Sequence, residues 1–373
     1  MKVLLVTSDY SNSWPFLPEL QAALFKNSVT VNILDVGSLK LIDERGNILH
    51  EDKIGGSLNL IRGGHRFIRF TARRFIRTRL SSYDAINIHN LSYIYKHLLP
   101  DFRKLSNNIS ITIWGSDFYR VSDQKLASYK YIFDETDYFT FGSKYPIIDF
   151  DKRVPGYSEK LKITSFGIGK FYILRNLFKD RLNVKKELEI PTDKISVVCG
   201  YNASSAQQHK LLINQIKTLP LELKEKIFVV VPLTYSGTEE YKNEVELCIY
   251  ESGLSYKLFR DFATEEEIAK IRVIGDIVLN AQISDGFSSS LQEHVLCNAV
   301  LIAGDWLPYK IMTDLGLKFY PVQLHEFGEK LADVISNFEA YYKEVQFNHE
   351  KLFKEGIWDN RIKGWIDLYK LKQ

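Results

Sequence analysis

The chain has 373 residues, 45% of them hydrophobic and 25% charged, with a formal net charge of +3. That length exceeds what a single core ordinarily serves, so two domains are expected. No apolar run nears the ~18–20 residues that cross a bilayer, and so small a net charge names no polyanionic partner. The three cysteines, Cys199, Cys248 and Cys297, are odd in number and far apart. They give neither a disulfide framework nor a zinc site, and they fit a reducing cytoplasm.

Met1-Lys2-Val3-Leu4-Leu5-Val6-Thr7 is short, apolar and without a cleavage-site pattern. It reads as a first strand. The following loop, Ser8-Asp9-Tyr10-Ser11-Asn12-Ser13-Trp14, holds no glycine. Close approach of a pyrophosphate at that turn needs glycine, so no dinucleotide cofactor is expected in the first half. Asp9 and Tyr10 still stand at the C-terminal end of a strand, where α/β sheets bind ligands. Further strands are expected at 29–35, 85–88, 109–113, 138–141 and 162–165, with helices such as 16–25 and 92–105 between them. Alternation of this kind predicts an α/β protein with parallel sheets.

Between the second and third strands, Arg62 to Leu80 is dense in arginine and free of acid. Arg62, Arg66, Arg69, Arg73 and Arg77 share one helical stripe, and Ile68, Ala72, Phe75, Ile76 and Leu80 share an apolar one. Such a helix can lie on an anionic membrane surface or grip a pyrophosphate or acidic polymer. It can also pack on a sheet with a solvated basic face. Nucleic acid is not expected, because no recognition motif or aromatic platform accompanies the stripe. His89 ends a strand, as an acceptor contact or as a buried structural imidazole. Asp117 follows the next strand in Ile113-Trp114-Gly115-Ser116-Asp117. It can orient an acceptor hydroxyl, act as a general base, or cap the turn.

The pattern restarts after a boundary near 168–192. Strands are expected at 195–199, 228–232, 256–259, 277–281 and 299–303, and helices at 208–219, 239–252 and 264–272. The first loop of this half offers Asn202, Ser204, Ser205, Gln208, His209 and Lys210, polar groups suited to phosphate or sugar. His209 can equally be a packed histidine. Tyr235 and Arg260 stand at strand ends, and Arg260 can instead pair with a nearby acid such as Asp261. Neither G-x-G-x-x-G nor G-x-x-x-x-G-K-[ST] occurs, which excludes P-loop ATP chemistry.

Asp285-Gly286-Phe287-Ser288-Ser289-Ser290-Leu291-Gln292-Glu293 sets two carboxylates eight residues apart around a small-residue turn. An apolar strand precedes it and helical spacing follows. A strand–turn–helix of this kind offers main-chain N–H groups and a helix N-terminus to an anion. The carboxylates can accept hydrogen bonds from sugar and ribose hydroxyls. The plain structural reading is a capping Asp285 and a solvated Glu293. The last segment, 356–373, places Trp358, Ile362, Trp365, Ile366 and Leu368 on one apolar helical face.

These features together resemble the two-domain GT-B glycosyltransferases, in particular the retaining nucleotide-sugar family. Asp285…Glu293 resembles that family's acidic-x7-Glu element, with Gly286-Phe287-Ser288 at the place of its acidic-Gly-Phe-Gly turn. Two departures are Asp for the first Glu and Ser288 for the second glycine. Ile113-Trp114-Gly115-Ser116-Asp117 resembles the His-Gly-Ser-Asp turn beside the acceptor cleft, with Trp114 in place of histidine. The segments 114–122, 200–209 and 231–237 are distantly similar to the Fuc4NAc transferases acting on the polyprenyl-diphosphate-linked precursor of enterobacterial common antigen.

The resemblance implies two Rossmann-like domains facing across a cleft: an acceptor domain at 1–170, a donor domain at 171–355, and a helix at 356–373 returning to the first. It implies a hexosyltransferase-type reaction from a nucleotide diphosphate sugar to a glycan or lipid-linked glycan, with retention. The expected setting is synthesis of a surface polysaccharide such as lipopolysaccharide, on the inner face of the membrane. Asp117 and Asp285 are the expected catalytic residues. Donor contacts are expected from Glu293, Gly286, Phe287, Ser288, Ser289, Asn202, Ser204, Gln208, His209, Lys210, Tyr235 and Arg260. Acceptor contacts are expected from Asp9, Tyr10, Trp114 and His89, and membrane or polyanion contacts from Arg66, Arg69, Arg73 and Arg77. No metal or other cofactor is expected, since no D-x-D stands at a strand end. A GT-B sugar-nucleotide epimerase and a non-catalytic carbohydrate-binding scaffold are the competing readings.

Overall fold

The computed structural model describes residues 1–372 except 9, 11–15, 60–64 and 262; of 56, 58, 59, 65–68 and 116 it describes the main chain alone. The chain divides into two compact units, Met1–Ile168 with Ile357–Gln373, and Gly169–Gly356. In the first, β1 (Lys2–Thr7), β2 (Thr30–Asp35), β3 (Lys40–Ile42), β4 (Ile48–Glu51), β5 (Ala85–His89), β6 (Ile109–Thr112), β7 (Tyr138–Phe141) and β8 (Leu161–Ile163) form one sheet. Its order is β4-β3-β2-β1-β5-β6-β7-β8. The pairs β2–β3 and β3–β4 are antiparallel and the others parallel. Val3, Leu4, Leu5 and Val6 are all fully buried, as an unbroken apolar run at the centre of a parallel sheet must be. The β3–β4 hairpin has no counterpart in the sequence reading. Its strands are three and four residues long, too short to show an alternating pattern.

The C-terminal helix Trp358–Lys370 packs on this first sheet. Trp358, Ile362, Trp365, Leu368 and Tyr369 are buried with Val3, Leu5, Leu20 and Leu24. Trp365 Nε1 donates to the Ser165 carbonyl at 3.0 Å and Trp358 Nε1 to Glu19 Oε2 at 2.8 Å. Gly167 lies under the Trp358 ring, where a Cβ would approach to 2.4 Å.

In the second unit, β9 (Ile195–Cys199), β10 (Ile227–Pro232), β11 (Tyr256–Phe259), β12 (Ile277–Asn280), β13 (Val300–Gly304) and β14 (Tyr320–Val322) form a wholly parallel sheet, order β11-β10-β9-β12-β13-β14. The order reverses at β9, so the C-terminal ends of β9 and β12 lie side by side at a topological switch point. The tract read as a polar boundary is helical, with Lys170–Phe178 and Arg181–Glu187.

The arginine-rich segment forms the helix His65–Arg79. Ala72, Phe75 and Ile76 are buried, as the apolar stripe requires. Two members of the basic stripe have a partner within the fold. Arg73 Nε and Arg77 Nε both bind the buried Asp101 carboxylate, at 2.6 and 2.7 Å, on the neighbouring helix Tyr95–Phe102. Burial alone would raise the Asp101 carboxyl, but the two guanidinium groups outweigh it and hold it low. Arg69, Arg74, Arg77 and Arg79 are exposed, and Arg69 and Arg74 lie beside Phe70, which is 69% exposed. The Arg66 side chain lies outside the described residues.

Candidate functional site

The β12 strand ends at Asn280, and the chain turns through 281–288 before the helix Ser289–Leu296. Phe287 adopts φ +64, a left-handed conformation uncommon for a non-glycine residue. Its carbonyl accepts from Gln292 Nε2 at 2.8 Å, and its ring meets the edge of Tyr309 at 5.8 Å. Asp285 accepts from the Ser288 N–H at 3.2 Å (Oδ1) and from the Tyr309 hydroxyl at 2.5 Å (Oδ2). It thus closes the turn before the helix, with Ser288 at the N-cap position. Burial raises the Asp285 carboxyl; the hydrogen bonds from Tyr309 and Ser288 pull the other way. Burial and then the Asp285 charge push the Tyr201 hydroxyl up to about 12. Tyr235 Oη lies 3.1 Å from Ser290 Oγ in the first turn of the helix.

Glu293 is not a solvated helix charge. It is 3% exposed, and Arg272, 2% exposed, donates from Nε to Glu293 Oε2 at 3.3 Å. The same guanidinium reaches His294 Nε2 at 3.2 Å and the Tyr201 carbonyl at 3.3 Å. It therefore ties the helix Glu265–Ile274 to the Ser289–Leu296 helix and to the loop after β9.

That loop is ordered by its own polar side chains. Asn202 Oδ1 accepts from the Ser204 N–H at 2.9 Å, Ser204 Oγ from the Ala206 N–H at 3.3 Å, and Gln208 Nε2 donates to the Ala281 carbonyl at 2.5 Å. Gln282 Oε1 accepts from the Tyr201 hydroxyl and from Gln207 Nε2, joining the loop after β9 to the turn after β12. His209 is fully buried, its Nδ1 3.0 Å from the Tyr241 hydroxyl, and burial pushes it down to about 4. Gly200, at φ +67, admits no side chain, since a Cβ would stand 2.9 Å from both His209 Nε2 and Gln207 Oε1. The loop is thus tied through Gln207 and Gln208 to the turn that carries Asp285, Asn202 and Ser204 shape the loop itself, and His209 is packed against Tyr241. Lys210 and Arg260 face elsewhere. Lys210 pairs with Glu244 at 2.5 Å. Arg260 binds Glu239, Asn243 and Glu246 of the helix Glu239–Tyr250, not Asp261.

In the first unit, both Asp117 oxygens are committed to main-chain donors: Leu91 N at 2.7 Å, Gly115 N at 2.9 Å and Trp114 N at 3.0 Å. The carboxylate clasps the loops after β5 and β6 together, as a turn-capping acid would, and Oδ2 keeps a second acceptor site beyond its bond from Leu91 N. His89 is buried among Trp114, Phe166 and Trp365, with ring centroids 5.9–6.1 Å away. Neither ring nitrogen has a partner among the described residues, and burial pushes the imidazole down to about 3. Tyr10 is half-buried against the β1–β2 core, and Asp9 lies outside the described residues.

No family model and no curated protein sequence matches the chain. Solved structures do. Anabaena HepE in complex with UDP and glucose matches with a TM-score of 0.70 and 14% identity over 98% of each chain. A Rickettsia africae glycosyltransferase matches with a TM-score of 0.72 at 14% identity, over 99% of this chain and 97% of its own. The sucrose-phosphate synthase of Thermosynechococcus elongatus gives 0.71 at 12%, over 99% and 98%. The fold is GT-B. At these identities the likeness is one of fold, and it spans both units of the GT-B chain. Asp285 and Glu293 lie in its second unit; His89, Trp114 and Asp117 lie in its first.

Five residues of the site went unnoticed in the sequence: Tyr201, Arg272, Asn280, Gln282 and Tyr309. Asn280 and Tyr201 follow apolar strand runs directly, a usable signal for ligand-end residues of an α/β sheet. Arg272 interrupts Ile271-Val273-Ile274 on a helix, which marks a cation on a buried face. Nothing local marks Tyr309 as the partner of Asp285.

Proposed function

We propose that this GT-B chain is a glycosyltransferase that takes a sugar from a nucleoside diphosphate sugar, a UDP-sugar first among candidates. The observation that carries the reading is the pair Asp285 and Glu293 after β12, one in the turn and one inside the following helix. Support for UDP comes from HepE, whose structures hold UDP, or UDP-glucose.

The chemistry follows from the parts. In the first turn of Ser289–Leu296 the Leu291 N–H already donates to the Ser288 carbonyl at 3.1 Å, while the Ser289 and Ser290 N–H groups have no acceptor within the helix, and the helix dipole favours an anion there. They would stabilise the departing diphosphate, the charge that grows in the transition state. Glu293, with Oε2 held by Arg272, would accept from a ribose hydroxyl. Asp285 would accept from a hydroxyl of the donor sugar. Asn202, Ser204 and Gln208 would line the phosphate side. With amides carrying the charge, transfer would need no metal, and the acidic-x7-Glu likeness favours retention. The acceptor, a glycan or a polyprenyl-diphosphate-linked glycan of a surface polysaccharide, would be held by the first unit near Trp114 and His89.

Peripheral membrane contact is part of the reading and rests on one surface. Arg69 and Arg74 flank the exposed Phe70, and the adjoining helix Lys53–Asn59 exposes Ile54 at 78%. Cations around apolar side chains suit an anionic lipid surface. No helix among the described residues is long and apolar enough to cross a membrane.

Thermal denaturation with UDP, GDP, TDP and CMP, with and without magnesium, tests the donor. A ligand at a hundredfold its Kd stabilises by about 2.7 kcal/mol. A rise with one diphosphate, equal in magnesium and in EDTA, is expected. No rise with any of the four would replace the transferase with the scaffold reading.

A further inference from the structure

We propose that Tyr309, held by Asn280, is a positioning residue that locks Asp285 with one oxygen available to the donor sugar, so that sugar recognition is set separately from nucleotide recognition. This rests on the reading of Asp285 as a sugar ligand.

The argument is the direction of the hydrogen bonds. Asn280 is fully buried at the end of β12. Its Oδ1 accepts from the Gln282 N–H at 3.3 Å, which settles which end of the amide is oxygen. The other end, Nδ2, can only donate, and it donates to Tyr309 Oη at 2.6 Å. The phenol is therefore an acceptor toward Asn280, and its single proton goes to Asp285 Oδ2 at 2.5 Å. The relay runs one way: Gln282 N–H to Asn280, Asn280 to Tyr309, Tyr309 to Asp285. The Tyr309 ring, 2% exposed, is wedged between Phe287 at 5.8 Å and Phe319 at 6.2 Å, so its hydroxyl cannot swing off the carboxylate without disturbing both.

The consequence is an asymmetric carboxylate. Oδ2 is taken at short range by Tyr309 and lies 3.4 Å from Ser288 N and Oγ, whereas Oδ1 is 3.2 Å from Ser288 N; the Gly286 N–H also donates to the carboxylate. A ligand hydroxyl is met by Oδ1. Tyr309→Phe keeps the ring packing and removes the one proton that fixes the carboxylate. Asn280→Asp places an acceptor against the phenol and competes with Asp285 for its proton.

Isothermal titration of the full chain with UDP and with UDP-glucose tests this. Tyr309→Phe and Asn280→Asp are each expected to leave UDP affinity within about twofold and weaken UDP-glucose about tenfold, one hydrogen bond to a charged group. Equal losses for both ligands, or none for either, from folded Tyr309→Phe would overturn the proposal. A second readout needs no donor: the Asp285 carboxyl titration by 13C NMR in wild type and Tyr309→Phe, with Tyr201 the other titratable group coupled to it. Losing a donor to the charged form must raise that pKa; an unchanged value would refute the lock. Wild type that binds neither ligand, with the NMR shift present, would remove the donor reading and leave the lock standing. Wild type that binds UDP alone would keep the nucleotide reading, and the NMR arm would decide the lock.

Discussion

Arg272 and Glu293 form an ion pair inside the second unit, Nε to Oε2 3.3 Å, with side chains only 2% and 4% exposed. Removing one partner strands a charge in the core, at a cost of about 3–5 kcal/mol. Arg272→Met is therefore expected to lower the urea midpoint strongly, and Arg272→Met with Glu293→Gln to recover much of the loss. A double variant as unstable as the single would show that the guanidinium acts mainly through His294 and Tyr201. The same pair governs the nucleotide test. Glu293→Gln, made in folded protein, is expected to weaken UDP binding by about 1–3 kcal/mol, as a lost or mismatched hydroxyl partner should. Affinity equal to wild type would take Glu293 out of the site and leave it a structural acid.

His89 makes an acid-sensitivity prediction. Burial holds its folded pKa down from 6.5 to about 3, so below pH 6.5 the unfolded chain takes a proton that the folded chain refuses. The stability it contributes is complete above pH 6.5 and is lost as pH falls toward about 3. His89→Phe is expected to shrink the drop in denaturation midpoint between pH 7 and pH 4. His209 and the buried His294 titrate in the same direction, so part of the drop remains. At pH 7 the variant should be no less stable than wild type, because two unpartnered ring nitrogens leave the core. Stability kept with transfer lost would make the imidazole an acceptor contact; stability and transfer both kept would make it a structural residue.

The arginine helix separates into two groups that different measurements should resolve. Arg69→Glu, Phe70→Ser and Arg74→Glu together are expected to abolish sedimentation with anionic vesicles and to leave the unfolding midpoint within about 0.5 kcal/mol, as surface changes do. Arg73→Gln with Arg77→Gln should instead lower stability, because the buried Asp101 loses both cations. Vesicle binding untouched by the first set would rule out the membrane surface.

Much of the chain is legible locally. Apolar runs at a strand's length, alternating with helical spacing, give most of the strands of the two sheets and their largely parallel character, since a strand covered on both faces is mostly apolar. The strand–turn–helix at Asp285 and the apolar face of Trp358–Lys370 are equally local, because both are written in spacing within one element. The structure alone decided the partners. Arg73 and Arg77 meet Asp101 from 28 and 24 residues away, Arg272 meets Glu293 from 21, and Tyr309 meets Asp285 from 24. Asp117 became a clasp because the loop after β5 brings Leu91 N to it. The reason is physical. Periodicity depends on side-chain polarity along one element, whereas hydrogen bonding and loss of water depend on what another element brings within about 3 Å, a distance that only the folded packing sets.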